Sequence, residues 1–246
     1  MSDKNIEQSR YDERAQEKLI KKNNIDKNIT PLYLMPPISS YYSLLREIKQ
    51  DSKVLEIGAG MGENTELMLL QGLEVIASDI SPKSVEVMKN KFTNFINFSS
   101  HVVDMENLIF EDNTFDIVCS AGSLSYGDNV IVMNEIYRVL KTGGQFIALD
   151  SLSNNPIYNL NRLIHHFRGN RSKSTLERMP NIKLITRYEK KFGHVDVRYF
   201  GSITWLFPFL KIFLSDNSIN TLSNKIDKLI KVRRSAFKFS MKVTKL

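Results

Sequence analysis

From Lys53 onward the hydrophobic residues gather in short dense runs separated by amphipathic stretches. The runs VLEIGA (54–59), LEVIASD (73–79), FSSHVVD (98–104), FDIVCSA (115–121) and QFIALD (145–150) are rich in Val, Ile and Phe, and most end in a polar or glycine-containing turn. They read as buried strands. Between them, residues 63–71, 82–92 and 129–140 read as helices. Ser81 before Pro82 offers the second helix a hydroxyl cap and a proline at its first position. Thr142-Gly143-Gly144 is expected to stop the third. Repeated strand–helix–strand units with short connections predict a parallel, doubly wound α/β sheet.

The flanks follow other patterns. Residues 1–30 are polar and predict a helical arm, followed by a loop around Pro31, Pro36 and Pro37 and a short helix from about Ser39 to Lys49. Residues 151–191 are polar and predicted helical in part, and HVDVRYF (194–200) alternates like a strand. ITWLFPFLKIFL (203–214) is apolar almost all round, but its 12 residues are too few to span a bilayer. SNKIDKLIKVRR (223–234) predicts a basic helix. In AFKFSMKVT (236–244), Phe237, Phe239, Met241 and Val243 alternate with polar residues, the period-two pattern of a half-buried strand. The expected organisation is one domain over 1–246. It comprises an arm (1–50), a cofactor-binding core (51–150), a substrate or lid region (151–235) and a last strand (236–246).

Composition narrows the class. With 246 residues, 42% hydrophobic, the chain can bury one substantial core. Cys119 is the single cysteine, so no intramolecular disulfide forms, and its setting reads as buried strand. The polar N-terminus resembles neither a signal nor a transit peptide, which makes a cytoplasmic location the default. The net charge of +7 is compatible with an anionic small substrate, a membrane surface or plain solubility. Much of the surplus lies after residue 160, outside the cofactor core, which points to the substrate side or a surface contact; no nucleic-acid partner is expected.

Open α/β sheets bind ligands at the carboxyl ends of their strands, where strand order reverses. The first strand runs into Glu56-Ile57-Gly58-Ala59-Gly60-Met61-Gly62. This G-x-G-x-G spacing differs from the G-x-G-x-x-G of dinucleotide sites. Glu63 occupies the last position of that fingerprint and would place a carboxylate against a pyrophosphate. Asp79, 21 residues past Gly58, closes the second strand and can accept hydrogen bonds from ribose hydroxyls. Asp104, at the end of the third, can take an adenine amino group, with Met105 over the ring. Ser120-Ala121-Gly122 ends the fourth with backbone carbonyls placed for an ammonium. A ribose, an adenine and an amino-acid tail together describe S-adenosylmethionine.

On VLEIGAGMG, SDIS, VVDMENLIFEDNTFDIV and EIYRVLKTGGQFIALD, the chain resembles the class I methyltransferases over roughly residues 50–150. It is similar above all to their small-molecule branch of quinone and sugar enzymes. The resemblance implies a Rossmann-like seven-stranded sheet, mostly parallel with an antiparallel last strand, and helical insertions. It puts Glu56, Gly58, Gly60, Asp79, Asp104 and Met105 on cofactor positions; Ala59, Ile80, Ser120 and Ala121 complete the expected set. Thr142 stands where the family usually has proline before the Gly-Gly turn. SAGSLSYGD, the stretch 150–180 and VRYFGSITWLFP further resemble methyltransferases of bacterial surface-polysaccharide gene clusters.

An alcohol acceptor needs a base, and histidine is the commonest. His165 and His166 lie after the fifth strand and cannot be ranked against each other; Asp150 and Tyr126, at strand ends, are the further candidates. Arg162, Arg168, Arg171 and Arg178, with Asn154, Asn155 and Asn161, suit phosphate and sugar hydroxyls, and equally a solvated helix face. No metal-ligand cluster is visible. The leading expectation is O-methylation of a sugar in a surface glycan or its nucleotide- or lipid-linked precursor. A quinone or other apolar acceptor is the alternative. A non-catalytic interaction protein with a vestigial cofactor fold is the reading from another class. Residues 203–234 suggest peripheral membrane contact.

Overall fold

The computed structural model describes residues 3–20, 32–167, 172–229 and 233–246. Helix α1 (Asp3–Ile20) is followed by α2 (Met35–Arg46), and then by alternating elements: β1 (Lys53–Ile57), α3 (Thr65–Leu69), β2 (Glu74–Asp79), α4 (Pro82–Lys91), β3 (Phe98–Val102), β4 (Phe115–Ala121), α5 (Asn129–Val139) and β5 (Leu140–Ser151). The second half adds α6 (Pro156–Phe167), α7 (Lys173–Glu177), α8 (Ile182–Phe192), β6 (Val195–Phe200), α9 (Phe207–Leu210), α10 (Asp216–Leu229) and β7 (Lys238–Thr244).

The seven strands form one sheet in the order β3-β2-β1-β4-β5-β7-β6. β7 runs antiparallel to both β5 and β6, and the other strands are parallel to one another. Strand order reverses between β1 and β4, so the crevice beyond their carboxyl ends is the natural ligand position. Each face of the sheet buries its own layer. One packs Phe146, Tyr188 and Phe192 with Ile136 and Leu140. The other packs Tyr41, Leu45, Met68, Met88 and Phe92 around Val54 and Val75. Cys119 is fully buried within this second layer, and burial pushes its thiol pKa up.

Local signals explain most boundaries. Ser81 caps α4, its hydroxyl accepting Ser84 N at 3.0 Å with Pro82 just inside the helix. Asp128 caps α5 in the same way. Two expectations need correction. Pro36 and Pro37 do not mark a loop; they occupy the first turn of α2, where no intrahelical donor is needed. The Gly143-Gly144 pair does not stop a helix, because α5 already ends at Val139 and the glycines lie inside β5. Gly143 has φ +78°, and its N–H bonds Lys245 O at 2.8 Å. The pairing with the chain end thus converts the turn into an irregularity of the strand.

Candidate functional site

The loop after β1 carries Gly58 and Gly60 at φ +64° and +58°, a region that residues with a Cβ rarely enter. A Cβ on Gly58 would stand 2.3 Å from Ser123 Cβ, so the loops after β1 and β4 touch at the point where strand order reverses. Asp79 fixes this floor from β2. Its Oδ2 accepts Gly60 N and its Oδ1 accepts Ser81 N, both at 2.9 Å. Burial raises the Asp79 pKa, and those two backbone donors oppose the rise.

A cavity of about 280 Å³ lies over the floor. Gly58, Ala59, Gly60, Asp79 and Ile80 line one side, and Asp104, Met105 and Ala121 line another. Glu63 faces it too, a carboxylate poorly placed for a pyrophosphate. Asp104 stands two residues beyond the end of β3 rather than within the strand. Glu56 and Ser120 do not line the cavity. Glu56 is buried beneath the loop, accepting Thr65 Oγ1 at 2.5 Å, and burial lifts its pKa to about 7. The Ser120 hydroxyl is buried against Ser123 Oγ at 2.6 Å.

The wall that the sequence did not reveal comes from α1. Lys4, Glu7 and Tyr11 all line the cavity. Lys4 Nζ lies 2.6 Å from both Asp104 Oδ2 and Glu106 Oε2. Tyr11 donates to the Tyr126 hydroxyl at 3.0 Å, the two rings meeting edge to face. Buried Glu7 accepts Thr175 Oγ1 at 3.1 Å and pairs with Arg10 at 3.0 Å. Asp12 holds the helix down by accepting Ser81 Oγ at 2.5 Å. The one available signal was the spacing Glu7–Tyr11–Ala15, a single stripe of a helix.

Of the candidate bases, Tyr126 lines the cavity. Asp150 is buried at the end of β5, where Oδ2 accepts Leu124 N at 3.0 Å and Oδ1 accepts Ser151 N at 2.6 Å; burial raises its pKa. His165 and His166 belong to α6, but their side chains lie outside the described residues, as do the side chain of Asn161 and all of Arg168 and Arg171. Asn154 accepts Ile182 N, and Asn155 accepts Ile157 N while donating to Ser235 O. Arg162 donates to Leu152 O at 3.1 Å. Arg178 lies 3.9 Å from Glu106. These contacts tie the connection after β5 in place. Among the described residues no group of three His, Cys, Asp or Glu could hold a metal ion.

The residues present fit an S-adenosyl compound. The glycine cradle admits close backbone approach, one carboxylate sits at the end of β2 and another just past β3, and Met105 and Ala121 border the same space. Comparison with known proteins agrees. Residues 55–148 match a family model described as a methyltransferase domain. A sterol 4-C-methyltransferase of Caenorhabditis elegans is 35% identical over 113 residues, which cover 44% of this chain and 34% of the relative. A ubiquinone/menaquinone biosynthesis C-methyltransferase of Stenotrophomonas maltophilia is 32% identical over 117 residues, 45% of this chain and 46% of the relative. The chain thus spans less than half the length of either curated relative. Phosphoethanolamine N-methyltransferase 2 of Haemonchus contortus, solved with phosphomonomethylethanolamine and S-adenosylhomocysteine, shares the fold. Its TM-score is 0.60 at 17% identity, over 86% of this chain and 52% of that one. The chain carries a methyltransferase domain match at residues 55–148, within the Rossmann-like seven-stranded fold that S-adenosylmethionine-dependent methyltransferases share.

Proposed function

We propose that the chain transfers a methyl group from S-adenosylmethionine to a hydroxyl of a small polar acceptor, a sugar of a surface glycan or of its nucleotide- or lipid-linked precursor. The supporting observation is the hydrogen-bonding wall of Glu7, Tyr11 and Tyr126, which faces the same cavity as the cofactor positions. When bound, the cofactor supplies a sulfonium methyl group already activated for in-line displacement. The protein's task is then alignment and exclusion of water. Asp79 would hold the ribose hydroxyls, Asp104 the adenine amino group, and the backbone at Ala121 the ammonium. Tyr11 stays protonated, because burial and the adjoining Tyr126 hydroxyl push its pKa up. The Tyr11 hydroxyl donates to Tyr126 O, which holds Tyr126 at the cavity wall. His165, His166, Asp150 and Tyr126 remain the candidates for the base.

An apolar acceptor such as a quinone is the second reading. Exposed Phe209, Ile212 and Phe213 beyond β6 favour it. Either acceptor would be met on the cytoplasmic side, and among the described residues no helix is long and apolar enough to cross a membrane. Purified chain with methyl-labelled cofactor should label a nucleotide sugar or lipid-linked glycan precursor and not demethylmenaquinone. Label in the quinone alone would overturn the sugar reading, and no label in any acceptor would return the chain to a non-catalytic role.

A further inference from the structure

Among the described residues, eight of the twenty exposed large apolar side chains fall in two segments. On α6, Ile157, Leu160, Leu163 and Ile164 are each more than 40% exposed. Their spacing places them on one helical stripe. In and after α9, Phe209, Ile212, Phe213 and Leu214 are exposed by 66%, 72%, 83% and 40%. A soluble surface rarely carries so many large apolar groups together.

The two segments emerge side by side. α6 follows β5 and the α9 segment follows β6, two parallel strands, so both leave the sheet at its carboxyl end, where the cofactor cavity opens. The Tyr158 hydroxyl of α6 meets Thr204 Oγ1 and Gly201 O, and its ring lies 5.5 Å from that of Phe237. The Asp227 carboxylate of α10 accepts Gly201 N and Ser202 N, which holds the third element against the same corner.

Along the sequence, the charge surplus falls in the same part of the chain. Residues 156–178 and 203–234 hold eleven Lys and Arg against three Asp and Glu, a surplus of eight, so the rest of the chain is close to neutral. Lys211, Lys225, Lys228, Arg233 and Arg234 are exposed, and Leu222 and Leu229 are exposed on the same helix as Lys225 and Lys228. Apolar groups able to enter the acyl boundary, rimmed by cations, complement an anionic bilayer.

We propose that α6, the α9 segment and α10 form a docking surface for an anionic lipid bilayer. The apolar stripe and Phe209, Ile212 and Phe213 enter the interface, the basic rim pairs with phosphate headgroups, and the cofactor cavity opens beside the membrane. This docking does not depend on the acceptor being a sugar or a quinone. The 246-residue chain is to be sedimented with phosphatidylcholine vesicles, with and without phosphatidylglycerol, at low and high salt. It should pellet only with phosphatidylglycerol and be released by salt. Lys225→Glu with Arg234→Glu should weaken partitioning about thirty-fold or more, and Phe209→Ser with Phe213→Ser about tenfold or more. Both variants should keep the circular dichroism spectrum and S-adenosylhomocysteine affinity of the parent, so failure here is separate from failure of the cofactor site. Protein that stays in the supernatant at low salt overturns the proposal. So does binding unaffected by either variant, or a dimer in solution that the Phe209→Ser and Phe213→Ser changes dissolve.

Discussion

Replacing Gly58 with alanine tests the floor of the cavity. At φ +64° an alanine pays about 1–2 kcal/mol for the left-handed conformation. Its Cβ would also stand 2.3 Å from Ser123 Cβ, an atom fixed to the backbone that cannot swing aside. Relieving that overlap must move the loop after β1 or the loop after β4, at about 1–3 kcal/mol for overpacking. The sum is about 2–5 kcal/mol. Gly122 provides the matched control. It has φ +76° and also lines the cavity, but a Cβ there meets nothing within 4 Å, so Gly122→Ala should cost only the conformational part. Urea unfolding, with calorimetric titration of S-adenosylhomocysteine, measures both variants. Gly58→Ala should lose the larger stability and bind the cofactor product far more weakly, while Gly122→Ala should lose only the conformational part, about 1–2 kcal/mol. Equal, mild effects in the two would refute the close approach of the two loops.

Two other perturbations have defined outcomes. Burial lifts Glu56 from 4.5 to about 7, partly opposed by hydrogen bonds from the Thr65 and Asn64 side chains. The folded chain therefore keeps a proton that the unfolded chain releases, and this group's contribution to stability falls as pH rises from about 4.5 to 7, by on the order of 3 kcal/mol in full. Glu56→Gln has no charge to bury, so its stability relative to the parent should rise by that order across the window. A pH-independent difference in urea unfolding would contradict the assignment. For the base, His165→Ala or His166→Ala should lower turnover about 10²–10⁴-fold with cofactor affinity kept. Near-normal rates in both move the role to Tyr126, Asp150 or no base.

The core was legible because its strands are nearly continuous apolar runs and two of its helices, α4 and α5, start at side-chain caps. Both signals are local. The order of the last two strands is not local: β7 inserts between β5 and β6, and only family resemblance anticipated an antiparallel last strand. Among the residues that line the cavity, Gly58, Asp79 and Asp104 were readable from their places after successive strands. Glu56 sits within β1 but faces the packed layer beneath the loop, because a strand alternates its side chains between faces. Lys4, Glu7 and Tyr11 were not readable. A polar helix looks like a solvated arm until tertiary contacts, here with Asp104, Thr175 and Tyr126, show which side faces in. Likewise Asn154 and Asn155 looked fit for a sugar, yet their amides serve backbone groups of neighbouring segments.

An S-adenosyl site in this crevice is tested by calorimetric titration of the purified chain with S-adenosylhomocysteine and, separately, with NADH. The first should bind with micromolar affinity, about −8 kcal/mol, and the second should not bind. Asp79→Ala should weaken the first about tenfold or more, because a charged acceptor of ribose hydroxyls is lost. Binding of NADH with no heat from either S-adenosyl compound would rule out an S-adenosyl site.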